Sequence, residues 1–571
     1  MLNPLDEALR SADEPEIRQG VTPFLLDLLR IETIPGPDLD GVRANEARAF
    51  DLITQAVEVI LGSWRGIERV PIASRIEADP YYTPCHYTKT PSRSAPLSAA
   101  EAYRDRANLV VRLPGQGQGT LAFNAHVDIV APYIPPRFED GIVYGRGACD
   151  DKGQCATMVA ALYFIEHARY AAGLVPPADL LFEFVIDEEP GGNGSLSLAL
   201  DRRFAFDAMV VLEATSLAIH PGNRGAVWYR LALDGTAAPK LDLVGLAAAA
   251  VLALEEEGTR IKAESTHPLF PHRPVQTCHG ILGPYGKHPS AVNDHVELGL
   301  RVLEDPGLPR VAAVVDEAVA AYCAAYGDKT KEADPATGKP KVARHYDLDG
   351  QAGFYALTVH GKAGHMGATP QCDNAITKAA YILRAIEAAR DLALDHFAPD
   401  FHGAKLCGDA ELVLEGGQGF LPTHSLAQVT ERMRRAVEQG AEDYCQAHGV
   451  AYDPTLVRMT FDKLHNDAFA RDPSRPGVRA LVEAARGVGI QVAEPLRGWD
   501  VSCDARIFAR EYPASDVLTF GAGALQHAHS ANEQVRLDDL LAAAKAIARF
   551  ALGFNPRNGT YGTHGTHGTQ T

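Results

Sequence analysis

Short apolar runs alternate with helical periodicity along the first 220 residues. Apolar side chains recur at helical spacing over residues 15–62, at Phe24, Leu25, Leu28 and Leu29 and then at Phe50, Ile53, Val57 and Ile60, which predicts helices. The runs LAF (121–123), LLFEFVI (180–186), AMVVL (208–212) and, far downstream, DVLTF (516–520) read as strands buried on both faces. Helical patterns at 153–168 and 195–201 follow the first two. The fold class is therefore α/β, a doubly wound and mostly parallel sheet with helices on both sides. The fourth run lies roughly 300 residues beyond the third. A sheet that collects strands across such a gap implies an inserted domain over 226–465, within a discontinuous domain of 1–225 and 466–556.

The insert carries signs of a duplication. GAVWYRLALDG, from Gly225, and GFYALTVHG, from Gly353, each precede a helical stretch, 243–257 and 374–394. Tyr322-Cys323 to Gly327 matches Tyr444-Cys445 to Gly449. This predicts two tandem β-α-β-β-α lobes, about 226–350 and 351–465, with a chance match of few letters as the alternative. Residues 78–104, rich in Tyr, Pro and Ser, read as a loop insertion that either roofs a cleft or lies plainly on the surface. Residues 557–571 form a Gly/Thr/His repeat without apolar periodicity, expected to be a disordered tail in which His564 and His567 are solvated rather than ligands.

Composition narrows the partners. The formal charge is −19, from 54 basic and 73 acidic residues, which argues against a general nucleic-acid or anionic-membrane binder. The longest apolar stretch, Leu243 to Leu254, is too short to span a bilayer. Nine scattered cysteines without CxxC spacing do not make a disulfide framework. With no basic-then-apolar profile at the N-terminus, a cytoplasmic protein acting on a small molecule is expected.

Metal-type residues follow the strand-like runs. In an open parallel sheet, ligands bind beyond the carboxyl ends of the strands. LAF leads to His126 and Asp128, LLFEFVI to Asp187-Glu188-Glu189, AMVVL to Glu213, and DVLTF to His529. The loop GRGACDDKG places Asp150 between the first and second of these. Alone, each is more often a satisfied surface group; placed together at one sheet edge, they predict a metal site. A two-metal site needs a bridging carboxylate holding the ions about 3.5–4 Å apart, and Asp150 suits that bridge. His126 with Glu213 would complete one ion, and Glu189 with His529 the other. Zinc is expected first, with cobalt or manganese as alternatives. Asp128 is positioned to fix the His126 tautomer. Consecutive strand residues face opposite ways, so Glu188 is free of its neighbour's ligand role and is assigned as general base.

The stretches NAHVDIV, YGRGACDDKGQ, VIDEEPGGNGS, VVLEATS, VHGKAGHMGATPQCDNAI and FGAGALQHAHSANEQV together resemble the cocatalytic zinc peptidases and deacylases of family M-20. The resemblance implies the same five ligands and the Glu188 base, on a catalytic domain with an inserted ferredoxin-like lid. It further implies that His365 in the lid holds a tetrahedral oxyanion, and that a lid arginine on a late strand binds the substrate carboxylate. Arg432, Arg434 and Arg435 are available, and Arg434 fits strand alternation best, with surface arginines on a helix as the alternative. The doubled insert and the DDKG wording are similar to the bacterial dipeptidases whose lid imitates a dimer, so a monomer suffices for a complete site, with a homodimer as the alternative. The implied activity is hydrolysis of a dipeptide amide. An N-acyl amino acid deacylase is the alternative, and an inactive metal-binding homologue a third reading.

Overall fold

A computed structural model describes residues 4–11, 14–62, 66–280, 291–302, 305–334, 337–365, 371–389, 392, 394–400, 411–461 and 465–562. The chain divides into two compact units. One comprises Met1–Arg224, Pro268–Pro271 and Asn466–Thr571, the other Gly225–His267 and His272–His465.

The first unit is built on six strands: β1 (Ile67–Pro71), β2 (Ala107–Leu113), β3 (Thr120–His126), β4 (Asp179–Val185), β5 (Ala208–Val211) and β6 (Asp516–Thr519). Their order is β1-β2-β4-β3-β5-β6. The β1, β2 and β4 pairings are antiparallel, whereas β4, β3, β5 and β6 run parallel. All four predicted runs thus occupy the parallel part, where both faces are covered and a continuous apolar run is the stable pattern. Helix α1 (Lys152–Ala172) packs against α4 (Leu537–Gly553), while α2 (Asn193–Ala199) packs against α3 (Ala505–Glu511). Phe123 on β3 stacks on Phe182 of β4 at 5.0 Å and meets Phe550 of α4 edge-on at 6.3 Å, so aromatic packing joins the strands to the helix above them. The predicted N-terminal helices are Glu14–Leu29 and Leu39–Leu61, which bury Leu25, Leu28, Phe50, Ile53 and Val57.

The 78–104 segment is not a plain surface loop. Short helical turns at His86–Thr88 and Ala99–Ala102, the latter closed by a Ser98/Glu101 capping box, bury Cys85, Ala99, Ala102 and Tyr103. At the other end of the chain, order extends past 557. Thr560–Tyr561 pairs with Phe554–Asn555, and the Tyr561 ring lies against Gly553. His564 and His567 lie outside the described residues.

The second unit holds two sheets of one topology. The first takes Gly225–Asp234, helix Leu243–Glu264, Thr277–Gly280, Glu411–Phe420, helix Leu426–Ala447 and Val457–Thr460. The second takes His295–Val302, helix Leu308–Tyr326, Tyr346–Gln351, Phe354–His360, helix Ala375–Ala388 and Leu394–Asp400. In each, the path is β-α-β-β-α-β, the order is second-third-first-fourth, and the pairings along that order are antiparallel, which is the ferredoxin-like arrangement; in the first sheet the short strand His465–Asn466 also pairs with Gly225–Asp234. The duplicated lobes are nested rather than tandem, which corrects the boundary expected at residue 350. The second lobe sits between the second and third strands of the first. A hairpin connection accepts such an insertion because only loop closure is affected and every sheet pairing survives. The Tyr-Cys match consequently aligns the first helix of one lobe with the second helix of the other, and does not mark equivalent positions. Among the described residues, no helix is long and apolar enough to cross a membrane.

Candidate metal centre

The carboxyl edge of the parallel sheet gathers the metal-type residues. His126 ends β3, Glu189 follows β4, Glu213 follows β5, His529 follows β6, and Asp150 precedes α1. One Asp150 oxygen lies 3.2 Å from His126 Nε2, and its other oxygen lies 3.2 Å from His529 Nε2. His529 Nε2 is also 3.0 Å from Glu189 Oε1. Two clusters result, each with its ligand atoms within 4.8 Å of one another: His126, Asp150, Asp151 and Glu213; and Asp150, Glu189 and His529. Asp150 belongs to both, as a bridge requires.

Asp151 escaped the sequence reading. It is fully buried; one carboxylate oxygen accepts the His126 backbone N–H at 3.0 Å, and the other has no hydrogen-bond partner among the described residues.

Backbone hydrogen bonds to buried carboxylates set the loops. Asp128 accepts the N–H groups of Glu188 at 3.2 Å and Glu189 at 3.0 Å, one on each oxygen. The His126 Nδ1 proton is therefore met mainly by the Asp128 backbone carbonyl, at 3.0 Å, with the carboxylate at 3.5 Å. The tautomer role foreseen for Asp128 thus moves largely to its main chain. The chain also turns between the two glutamates and their strand. Asp187 has φ +58°, a left-handed conformation that Asp tolerates better than most residues. Glu533, likewise missed, organises the Asp150 loop: it accepts from Arg146 at 2.6 Å, Gly147 N at 2.9 Å, Cys149 N at 3.3 Å and Asp150 N at 3.2 Å. Its signal was its place in HSANEQV, four residues after His529.

Electrostatics supply the test of whether cations fit. Burial, then neighbouring carboxylates, push Asp151, Glu188 and Glu213 well above the usual carboxylate range. Burial alone would lower both imidazoles, yet Asp128 and Asp151 hold His126 well above its ordinary value, and Glu189 and Asp150 do the same for His529. Asp150 lies well below its range despite burial, because both histidines hydrogen-bond to it. Carboxylates pushed upward by burial and by one another, beside imidazoles pushed upward by those carboxylates, mark a deficit of positive charge. Divalent cations on these oxygen and nitrogen donors remedy that deficit, and the donor set suits zinc, cobalt or manganese.

The remaining predicted residues belong to the second unit. His365 lies in a two-residue strand paired with Ala291–Val292, and its side chain lies outside the described residues. Arg434 sits on helix Leu426–Ala447, whose start is fixed by a Ser425/Gln428 capping box, so the strand alternation that singled it out does not apply. It is 3.3 Å from Glu431 and lies over the Phe461 ring, while Arg432 pairs with Glu257 and Glu264. A third grouping, Cys323, Asp328 and His345, is a poor cation site. His345 Nδ1 accepts from Lys378 at 3.2 Å, which leaves the proton on the Nε2 that faces both other groups.

The family model described as Peptidase family M20/M25/M40 matches residues 122–553. A probable carboxypeptidase of Aspergillus terreus is 35% identical over 127 residues, 21% of this chain and 28% of that protein. A peptidase M20 domain-containing protein of Schizosaccharomyces pombe is 28% identical over 120 residues, 21% of this chain and 29% of that protein. These alignments span under a third of either relative. Among solved structures, the dipeptidase Dug1p of Saccharomyces cerevisiae has a TM-score of 0.53 at 14% identity, covering 97% of this chain and 98% of its own. Human carnosine dipeptidase 1 has a TM-score of 0.51 at 15% identity, covering 97% and 100%. At such identity the likeness shows the shared fold.

Proposed function

The chain belongs to peptidase family M20/M25/M40 and is a metallohydrolase, and on that basis we propose that it cleaves the amide bond of small carboxylate-bearing dipeptides. The observation that carries this reading is the sharing of Asp150 between two donor clusters. His126, Asp150 and Glu213 would hold one divalent cation, and Asp150, Glu189 and His529 the other. Bound there, the cations would supply the Lewis acidity that polarises a carbonyl and acidifies a water.

The chain's own groups do the rest. Glu188 takes a proton from the attacking water and passes it to the leaving amine nitrogen, so one carboxylate serves both halves of the reaction. Burial and the nearby Asp504 hold its carboxyl above the ordinary range, which raises its basicity, while His126 and Arg506 pull the other way. Asp128 fixes the amides of Glu188 and Glu189 and so separates base from ligand. For the second unit the proposal rests on the sequence pattern: His365 as oxyanion donor, Arg434 or a neighbouring arginine as the carboxylate contact, and a doubled lid that makes a monomer sufficient.

The dipeptide preference draws on the names of the two structural neighbours. A cytoplasmic setting fits the thiol state of Cys85, Cys149, Cys155 and Cys503. The experiment is turnover of a mixed panel of unblocked dipeptides and N-acyl amino acids by zinc-, cobalt- or manganese-loaded protein, read by mass spectrometry. Hydrolysis of dipeptides that Glu188→Gln abolishes supports the proposal; full turnover by Glu188→Gln removes the base, and cleavage of N-acyl amino acids alone removes the dipeptide reading.

A further inference from the structure

The 78–104 segment, with Arg106 just beyond it, reaches the turn that carries Glu188 and Glu189. Asp187, buried and left-handed, is the pivot of that turn. Its carboxylate accepts from Tyr87 Oη at 2.5 Å and Tyr103 Oη at 2.8 Å on one oxygen, and from Arg106 Nη2 at 2.7 Å on the other. Arg106 is itself fully buried. It is held by Glu46 through two bonds of 2.9 and 2.6 Å, donates to Tyr87 Oη at 2.7 Å, and lies over the Tyr103 ring at 5.0 Å. The far end of the turn is tied as well. Asn193 Nδ2 donates to Tyr103 Oη at 2.8 Å and to the Thr83 carbonyl at 2.7 Å, and Asn193 Oδ1 accepts the Thr83 N–H at 3.1 Å.

The segment therefore grips residues 187 and 193 from one side, while Asp128 holds the amides of 188 and 189. Two positive-φ glycines, Gly191 and Gly192, complete the turn and give it little stiffness of its own, so the outside contacts set its shape. Hydrogen bonds to a buried carboxylate are among the stronger ones, and a misplacement of about 1 Å at a reacting group can cost on the order of 100-fold in rate.

We infer that Tyr87, Tyr103 and Arg106 are positioning residues for the general base: through Asp187 they fix where Glu188 points, and the 78–104 segment supplies the two tyrosines of that clamp. The inference rests on the reading of Glu188 as the base. Tyr87→Phe and Tyr103→Phe keep the rings and remove only the hydroxyls, and Asp187→Asn keeps a residue that accepts the left-handed conformation. Tyr82→Phe, in the same segment but hydrogen-bonded to Cys85 rather than Asp187, is the control.

The experiment measures kcat and KM for the fastest-hydrolysed member of the dipeptide panel, with bound metal quantified on the same samples. Expected are a 10- to 100-fold fall in kcat for the double Tyr87→Phe/Tyr103→Phe variant, a smaller fall for each single variant and for Asp187→Asn, KM within about twofold, full metal content, and a Tyr82→Phe variant like the parent. Unchanged kcat in the double variant overturns the inference. So does a kcat loss that follows metal loss in every variant, since the clamp would then serve the ligand Glu189 instead. A double variant that fails to fold passes the decision to the single variants and Asp187→Asn. If Glu188→Gln itself retains turnover, the failure belongs to the proposed function and not to the clamp.

Discussion

Glu183 in the middle of β4 offers a quantitative test of the buried sheet behind the metal centre. It is fully buried; one carboxylate oxygen accepts from Asn124 Nδ2 at 3.2 Å, and the other has no partner among the described residues. Burial, opposed only by the Asn124 bond, pushes its carboxyl from 4.5 to about 8. Between these values the folded protein keeps a proton that the unfolded chain has released, so this group's contribution to stability falls as pH rises. The fall is about 1.4 kcal/mol per pH unit and levels off above pH ~8 at about 5 kcal/mol in all. Glu183→Gln resembles the protonated carboxyl in shape and removes the titration. The variant should match the parent near pH 5 and exceed it by up to ~5 kcal/mol near pH 9. For a unit of roughly 330 residues that corresponds to an apparent Tm about 7 °C higher. Differential scanning fluorimetry of both proteins across pH 5–9, at constant metal loading, reads the difference and cancels the other titrating groups. Curves that stay parallel over the whole range would show that Glu183 is ionised and solvated in the fold, and the reasoning would fail.

Three further outcomes follow from named contacts. Glu533→Ala removes the acceptor shared by Arg146, Gly147, Cys149 and Asp150 and should weaken metal affinity about 10- to 100-fold, measured by chelator competition; unchanged affinity would show that the Asp150 loop holds itself. His529→Ala should lower bound zinc from two equivalents to near one by elemental analysis, because the Asp150–Glu189 cluster loses its imidazole while the His126 cluster does not; retention of both ions contradicts the assignment. Phe123→Ala, at the junction of β3, β4 and α4, should destabilise the first unit by about 3–5 kcal/mol in denaturant titration, and a cost below ~1 kcal/mol would mean that the sheet repacks freely.

The parallel sheet and its carboxyl edge were legible because burial on both faces writes strands as unbroken apolar runs, and because residues chosen for metal chemistry directly follow them. His126, Glu189, Glu213 and His529 come together for that reason, and Asp150 joins them from the loop before α1. What escaped was whatever depends on contacts remote in sequence. Asp187 acts by accepting hydrogen bonds from distant groups, and nothing in its local text distinguishes such an acceptor from a solvated acid; Glu533 acts in the same way, its one cue being its place four residues after His529. The nesting of the second lobe was hidden because an insertion into a hairpin leaves the periodicity of each element intact. The helix at Leu426–Ala447 did have a local signal, the Ser425-x-x-Gln428 capping box, which outweighs the apparent alternation around Arg434.

The central claim is that Asp150 joins two cation sites. Crystals of the zinc-loaded protein, with data collected on both sides of the zinc absorption edge, test it most directly. Two anomalous peaks that both adjoin the Asp150 carboxylate, one beside His126 and Glu213 and the other beside Glu189 and His529, are the predicted result. A single peak, or a second one with no contact to Asp150, would contradict it.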